Sequence, residues 1–207
     1  MNYKDILNDP EIINIYNKID KDNLNSIVHG KQHVLNVLDN LDKLNKILNI
    51  NNKDLELLKI AITLHDTGHL YGKDKHSEKS AEFAQKYLNN KLDSDDLNKV
   101  ISSIKNHHEK INIDNISLFD HILLFADKMD FSNKRLNPNY RTREYLMESN
   151  ILEVNFSIDK DTFCVIIKTN NIDIDKFKYW DYYSKIYKRI EEFAYKINKK
   201  FEIKTIF

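Results

Sequence analysis

The sequence predicts a mainly α-helical bundle followed by a small C-terminal α+β appendage. Three observations lead there. Only three Gly and two Pro occur in 207 residues, so little interrupts long helices. Up to about residue 130, apolar residues recur three and four apart, the period of an amphipathic helix. After about residue 150, two runs become rich in β-branched and aromatic residues. The boundary is placed between 149 and 150, with 1–149 as the helical core and 150–207 as an appendage packed on it.

Residues 3–20 give one or two short helices, interrupted at Pro10. From Lys31 to Leu48, Val34, Val37, Leu38, Leu41, Leu44 and Leu48 form one apolar face. Asp54–Leu64 repeats the pattern through Leu55, Leu58 and Ile62, and Gly68 and Gly72 then break the chain. A helix over 77–89 carries Ala81, Ala84 and Leu88 inward. The cluster Asp93-Ser94-Asp95-Asp96 caps the next helix, which bears Leu97, Val100, Ile101 and Ile104. Ser117–Met129 supplies a fifth long helix. Ile151–Ile158 and Thr162–Thr169, joined by Asp159-Lys160-Asp161, read as a hairpin. A long helix over 176–199 carries Phe177, Tyr179, Trp180, Tyr183, Tyr187 and Phe193, and Phe201–Phe207 alternates like a third strand.

Composition narrows the class. Apolar residues make up 41% of the chain, enough for a sizeable core. The 32 basic and 32 acidic residues cancel, so nothing suggests an electrostatic footprint for nucleic acid or a membrane surface. Arg occurs only at 135, 141, 143 and 189 against abundant Lys, which we attribute to coding bias. The lone Cys164 excludes an internal disulfide, and its alternating setting reads as a buried strand thiol. The N-terminus carries Lys4, Asp5 and Asp9 and has no signal-peptide apolar core. No stretch approaches the ~18 apolar residues of a membrane span. A soluble, cytoplasmic protein is expected.

The histidines carry the chemistry. All eight lie between His29 and His121. His33 opens its helix on the same face as Val37 and Leu41, and His65 extends the stripe Leu55, Leu58, Ile62. A lone histidine on such a face is usually a satisfied core residue. Asp66 and Asp127, however, fall where burial is costly unless the carboxylate is paired or bound to metal. Three such anomalies at the ends of separate helices favour a shared metal over independent accidents.

His33, His65-Asp66 and Asp127 resemble the H…HD…D signature of the HD-domain metal-dependent phosphohydrolases, over roughly residues 25–135. The phrase Ala126-Asp127-Lys128-Met129-Asp130 fits the same pattern. The resemblance implies an all-helical core in which His33, His65, Asp66 and Asp127 hold one divalent cation. His76 and His107-His108 are similar to the extra histidines of two-metal members such as the HD-GYP phosphodiesterases and the diadenosine tetraphosphate hydrolases. It thus implies a second cation at His76, His107 and His108, bridged by Asp66. Mn, Fe, Ni, Co, Zn or Mg would suit a mixed imidazole and carboxylate shell.

Two further spacings look like those of cyclic-nucleotide phosphodiesterases. His29-Gly30-Lys31-Gln32-His33 matches H-x-x-x-H, and His65-Asp66-Thr67-Gly68-His69 matches H-D-x-x-H. By that likeness His29 or His69 is the proton donor, with a loop histidine as the alternative for His29. His69 stands where HD-GYP members carry Lys, and Leu70-Tyr71-Gly72 replaces their G-Y-P continuation, which argues against that branch. His121 is treated as structural or exposed.

Lys73, Lys75, Lys128, Lys134 and Arg135 flank these residues. Lys128 and Arg135 follow Asp127 and are the first candidates for a substrate phosphate, with Arg141 and Arg143 behind them. The expected function is hydrolysis of a small phosphate ester, a nucleotide or dinucleotide, by metal-activated hydroxide attack on phosphorus, with Asp66 orienting the nucleophile. The alternatives are a regulatory HD domain acting through partner binding or dimerisation, and a di-iron oxygenase. The hairpin and the aromatic helix offer a surface for a homodimer.

Overall fold

A computed structural model of the chain describes residues 1–21, 27–108, 116–137, 148–170 and 181–207. Arg141, Arg143 and the expected helix start with Phe177, Tyr179 and Trp180 lie outside the described residues. The chain forms two compact units, one of Met1–Asn23 with His29–Asp127 and the other of Leu24–Val28 with Lys128–Phe207. This division differs from the expected 149/150 boundary by residues 128–149 and by Leu24–Val28.

The first unit is helical. It holds α1 (Tyr3–Leu7), α2 (Pro10–Lys21), α3 (Lys31–Leu48), α4 (Asn52–Leu64), α5 (His76–Leu88), α6 (Ser94–Asn106) and α7 (Leu118–Lys128), whose last residue begins the second unit. Pro10 starts α2 rather than merely interrupting a helix, because at the first helical position its missing N–H costs nothing. Asn51 and Asp93 cap α4 and α6, each accepting a 2.9 Å hydrogen bond from the backbone N–H three residues on.

The central helix is α4, with α1, α3, α5 and α6 packed on it. From Leu57 to Leu64 only Lys59 escapes burial. The expected single stripe therefore described one side of a helix that is covered all round, and its first member, Leu55, is only half-buried. Each aliphatic side chain so buried contributes about 1.5–3 kcal/mol over leaving it in water. Helix α7 is enclosed in the same way from Phe119 to Asp127. His65-Asp66 thus follow the last turn of α4, and Asp127 lies in the last turn of α7.

Two glycines set the geometry at these ends. After α4 the chain turns through a 3-10 segment, Thr67–Tyr71. There Gly68 N donates to Ser80 Oγ at 2.8 Å. A Cβ on Gly68 would lie 2.1 Å from the His76 carbonyl oxygen, so only glycine lets this turn touch the start of α5. Gly30 precedes α3 and has no side chain to cap it. The Asp20 carboxylate, from α2, accepts the backbone N–H groups of Gly30 and Lys31 instead.

The second unit contains β1 (Ile151–Asp159), β2 (Thr162–Thr169), α8 (Asp181–Lys196) and β3 (Lys200–Ile206). The sheet order is β1-β2-β3, with β1 antiparallel and β3 parallel to β2. Phe163 packs its ring on Phe156 in β1 and on Phe193 in α8, both at 5.7 Å. Cys164 is buried and free. Among the described residues, no helix is long and apolar enough to cross a membrane.

Candidate metal centre

The first unit brings His29, His33, His65, Asp66, His69, His76, His107 and Asp127 to one place, and their donor atoms form overlapping clusters of three. Asp66 stands in the middle, 3% exposed. Its two oxygens face different partners. Oδ2 is 3.0 Å from His29 Nδ1, 3.4 Å from His33 Nε2 and 3.5 Å from His65 Nε2. Oδ1 is 3.4 Å from His107 Nε2, 3.6 Å from His69 Nε2 and 3.8 Å from His76 Nε2. On the Oδ2 side, Asp127 Oδ1 lies 3.2 Å from His33 Nε2 and 3.8 Å from His65 Nε2, and the two Nε2 atoms are 3.2 Å apart.

Backbone carbonyls fix which ring nitrogens are available. His65 Nδ1 is 2.7 Å from Ile62 O, His107 Nδ1 is 2.5 Å from Ile104 O, and His76 Nδ1 is 3.0 Å from Lys73 O. A carbonyl only accepts, so each Nδ1 carries the proton, and Nε2 of the neutral ring presents a lone pair. Ile62 and Ile104 belong to the last turns of α4 and α6, where carbonyls have no intrahelical partner. His65 and His107 use those orphans. Consequently His76 and His107 turn lone pairs towards each other across 3.1 Å, where neither neutral ring can donate. A cation held between them would resolve that opposition, and a carbonyl behind each ring is the usual support of a metal-bound imidazole.

Spacing gives a second test. Around an ion with ligands at ~2.0–2.1 Å, neighbouring donor atoms sit about 3.0 Å apart at right angles and about 3.4 Å apart at tetrahedral angles. The separations above, 3.0–3.8 Å, approach those values on both sides of Asp66. The donor set, imidazole nitrogen with carboxylate oxygen, suits borderline divalent ions. On each side of Asp66 the residues present have the donor chemistry and spacing that a divalent cation would need.

The electrostatics are those of a buried anion among imidazoles. Burial alone would raise the Asp66 carboxyl, but His65, His69, His107 and His29 hold it well below the usual carboxylate range. Burial pulls His65 down too, and is outweighed by Asp66 and Asp127, so its pKa is raised. Protons and divalent ions thus compete for the same nitrogen. Burial pushes His69 down to about 3 and His107 down to about 4.

The remaining expected site residues fall elsewhere. The His108 ring packs 5.4 Å from His76, and His108 belongs to none of the donor clusters among the described residues. His121 is buried in α7 and also belongs to none. Lys128 ends α7 half-buried, and Lys73, Lys75 and Lys134 are exposed. Arg135 is buried in the second unit, where Nε donates to Val28 O at 3.1 Å and Nη1 to Asp130 O at 2.9 Å.

Three supporting residues escaped sequence reasoning. Asn40 Nδ2 donates to Ala126 O at 3.0 Å, tying α3 to α7 beside Asp127. Its signal was a polar residue on the face of His33, Val37, Leu41 and Leu44. Asp20 and Ser80 left no signal, since each acts on backbone remote in sequence.

A family model described as HD domain matches residues 30–132. No curated protein gives a significant match. Among solved structures, the chain is similar to a predicted HD superfamily hydrolase from an uncultured Thermotogales bacterium. The identity is 22%, the match covers 67% of this chain and 83% of that chain, and the TM-score is 0.46.

Proposed function

Through residues 30–132 the chain belongs to the HD-domain family, and from that premise we propose that it is a metal-dependent phosphohydrolase with a two-cation centre. The substrate is a small phosphate ester, a nucleotide or dinucleotide. The observation that carries this reading is the division of Asp66, one oxygen to each imidazole set, with tautomers that leave Nε2 lone pairs inward. His33, His65, Asp66 and Asp127 would hold one cation. Asp66, His76 and His107 would hold the other. When bound, such ions supply Lewis acidity, activating water and neutralising charge on phosphoryl oxygens.

The chain's own groups do the rest. Asp66 holds both halves in register, and the carbonyls of Ile62, Ile104 and Lys73 keep three rings oriented. His29 is the proton-handling residue of this reading. Its side chain keeps 20% exposure, and Nδ1 pairs with Asp66 Oδ2 at 3.0 Å, so the carboxylate orients the ring and supports the imidazolium. The expectation that Lys128 meets the substrate phosphate rests on its place next to Asp127 in the chain alone. Arg135 is left out of that role because its guanidinium serves the carbonyls of Val28 and Asp130.

A base-bearing substrate is supported by the aromatic faces of an open groove of about 700 Å³ in the same unit, lined by Glu11, Tyr71, Lys79, Glu82, Phe83, Lys86 and Tyr87. Lys79 lies one turn along α5 from His76, and aromatic rings suit a nucleobase. The test is a panel of nucleotides, dinucleoside polyphosphates, cyclic nucleotides and simple phosphate esters, run on protein loaded with each candidate metal. Release of phosphate or nucleoside monophosphate that is lost in Asp66→Ala supports the proposal. Metal-loaded protein inert on every phosphate ester would overturn it.

A further inference from the structure

We propose that His69 is a ligand of the second cation, completing a shell of Asp66, His69, His76 and His107, and that His108 stands outside it. The inference rests on the two-cation reading above and changes what the H-D-x-x-H spacing suggested, a proton donor at His69.

Position comes first. Three Nε2 atoms surround Asp66 Oδ1, those of His107, His69 and His76, at 3.4, 3.6 and 3.8 Å. The donor atoms of Asp66, His69 and His76 form one of the clusters able to hold an ion. Orientation is also fixed. The His69 ring is stacked on His29 at 4.0 Å and 19°, and on His76 at 4.2 Å and 26°. Held between two rings, it cannot swing outward without unstacking both.

Its polar edge supplies an independent reason. The His69 side chain is 6% exposed, and Nε2 is buried without a hydrogen bond. Leaving a buried ring nitrogen that way is costly unless something binds it. A proton donor must reach the leaving group, whereas His69 lies enclosed between its neighbours. His108 has the opposite character. Its ring is half-exposed, lies 5.4 Å from that of His76, and contributes to no donor cluster among the described residues.

Cobalt(II) provides a direct test with the full chain stripped of metal and retitrated. Wild type is expected to take up two ions. His69→Gln should lose the second ion or weaken it at least about tenfold, a typical cost of disturbing a metal shell, while His108→Gln keeps both at unchanged affinity. His69→Cys should recover two ions and gain a near-ultraviolet thiolate-to-cobalt band that wild type, whose Cys164 is buried in β2, does not show. His108→Cys should gain no such band. If His69→Gln fails to fold, the cysteine variant decides. Two ions at unchanged affinity in His69→Gln, or two ions without the band in His69→Cys, would overturn the assignment of His69. Wild type that binds fewer than two ions would instead remove the two-cation reading, and this inference with it.

Discussion

Gly30→Ala looks harmless from the backbone, because φ of −88° and ψ of −154° suit alanine. The constraint is space. A Cβ built there falls 2.0–2.1 Å from Oδ1, Cγ and Oδ2 of Asp20. The carboxylate must move, and in moving it gives up the N–H groups of Gly30 and Lys31 at the start of α3. Losing such a cap, made by an ionised acceptor that takes two N–H groups, costs about 2 kcal/mol. For a chain of this length that corresponds to a fall in Tm of roughly 4–8 °C. Asp20→Ala removes the same cap and should cost about the same. Because both variants delete one interaction, the double variant should cost about 2 kcal/mol, not about 4. The assay is thermal unfolding of the four proteins followed by circular dichroism. Additive losses in the double variant would refute the account, as would a Gly30→Ala protein with unchanged Tm. The same variants should weaken metal binding at His33, which lies one turn into α3.

Gly68→Ala should be more damaging, about 3 kcal/mol or more, because its Cβ meets backbone, the His76 carbonyl at 2.1 Å and Ser80 N at 2.7 Å, which cannot step aside; Tm reports it. Removing bound metal with a chelator should lower Tm, by the equivalent of about 4 kcal/mol for an ion held at a thousand times its dissociation constant, and the metal-binding variant Asp66→Ala should be insensitive to the chelator. Acidifying the metal-free protein from about pH 6.5 towards pH 4 should destabilise it. His69 and His107, pushed down to about 3 and about 4, stay neutral when folded but take up protons when unfolded near ~6.5. Each contributes a loss on the order of 1 kcal/mol per pH unit in that window. His65 shifts the other way, so its stabilising contribution is complete by then and does not offset the slope. Denaturant titrations at about pH 6.5 and about pH 4.5 check the sign, and equal stability would contradict it.

Helix α3 was readable to the residue because its apolar period and flanking Gly30 and Asn49 are local signals. The cap of α6 was readable as the cluster 93–96, within which Asp93 does the capping. The site was readable as a set of anomalies, since carboxylates and histidines ending apolar helices are conspicuous in sequence. What could not be read is how far each ring is from another. His107 and His108 are neighbours with identical chemistry, and only packing around α5 and α6 places one among the donor atoms. Gly68 reads as a chain break, yet its purpose is contact with Ser80, which no local pattern encodes. The parallel pairing of β3 is hidden for the same reason, because the return path through α8 sets strand direction.

The donor atoms that meet at Asp66 come from distant parts of the chain. His33 and His65 are 32 residues apart, and His76 and His107 are 31 apart. An ion bound between such pairs closes a loop, as a disulfide would. Closing one of that length restricts the unfolded chain by on the order of 3–4 kcal/mol in the chain-entropy model. Cys164 has no second cysteine to pair with. In this chain, cations at the proposed centre would therefore serve as cross-links where no internal disulfide can form, and metal starvation would loosen the helical unit along with its chemistry.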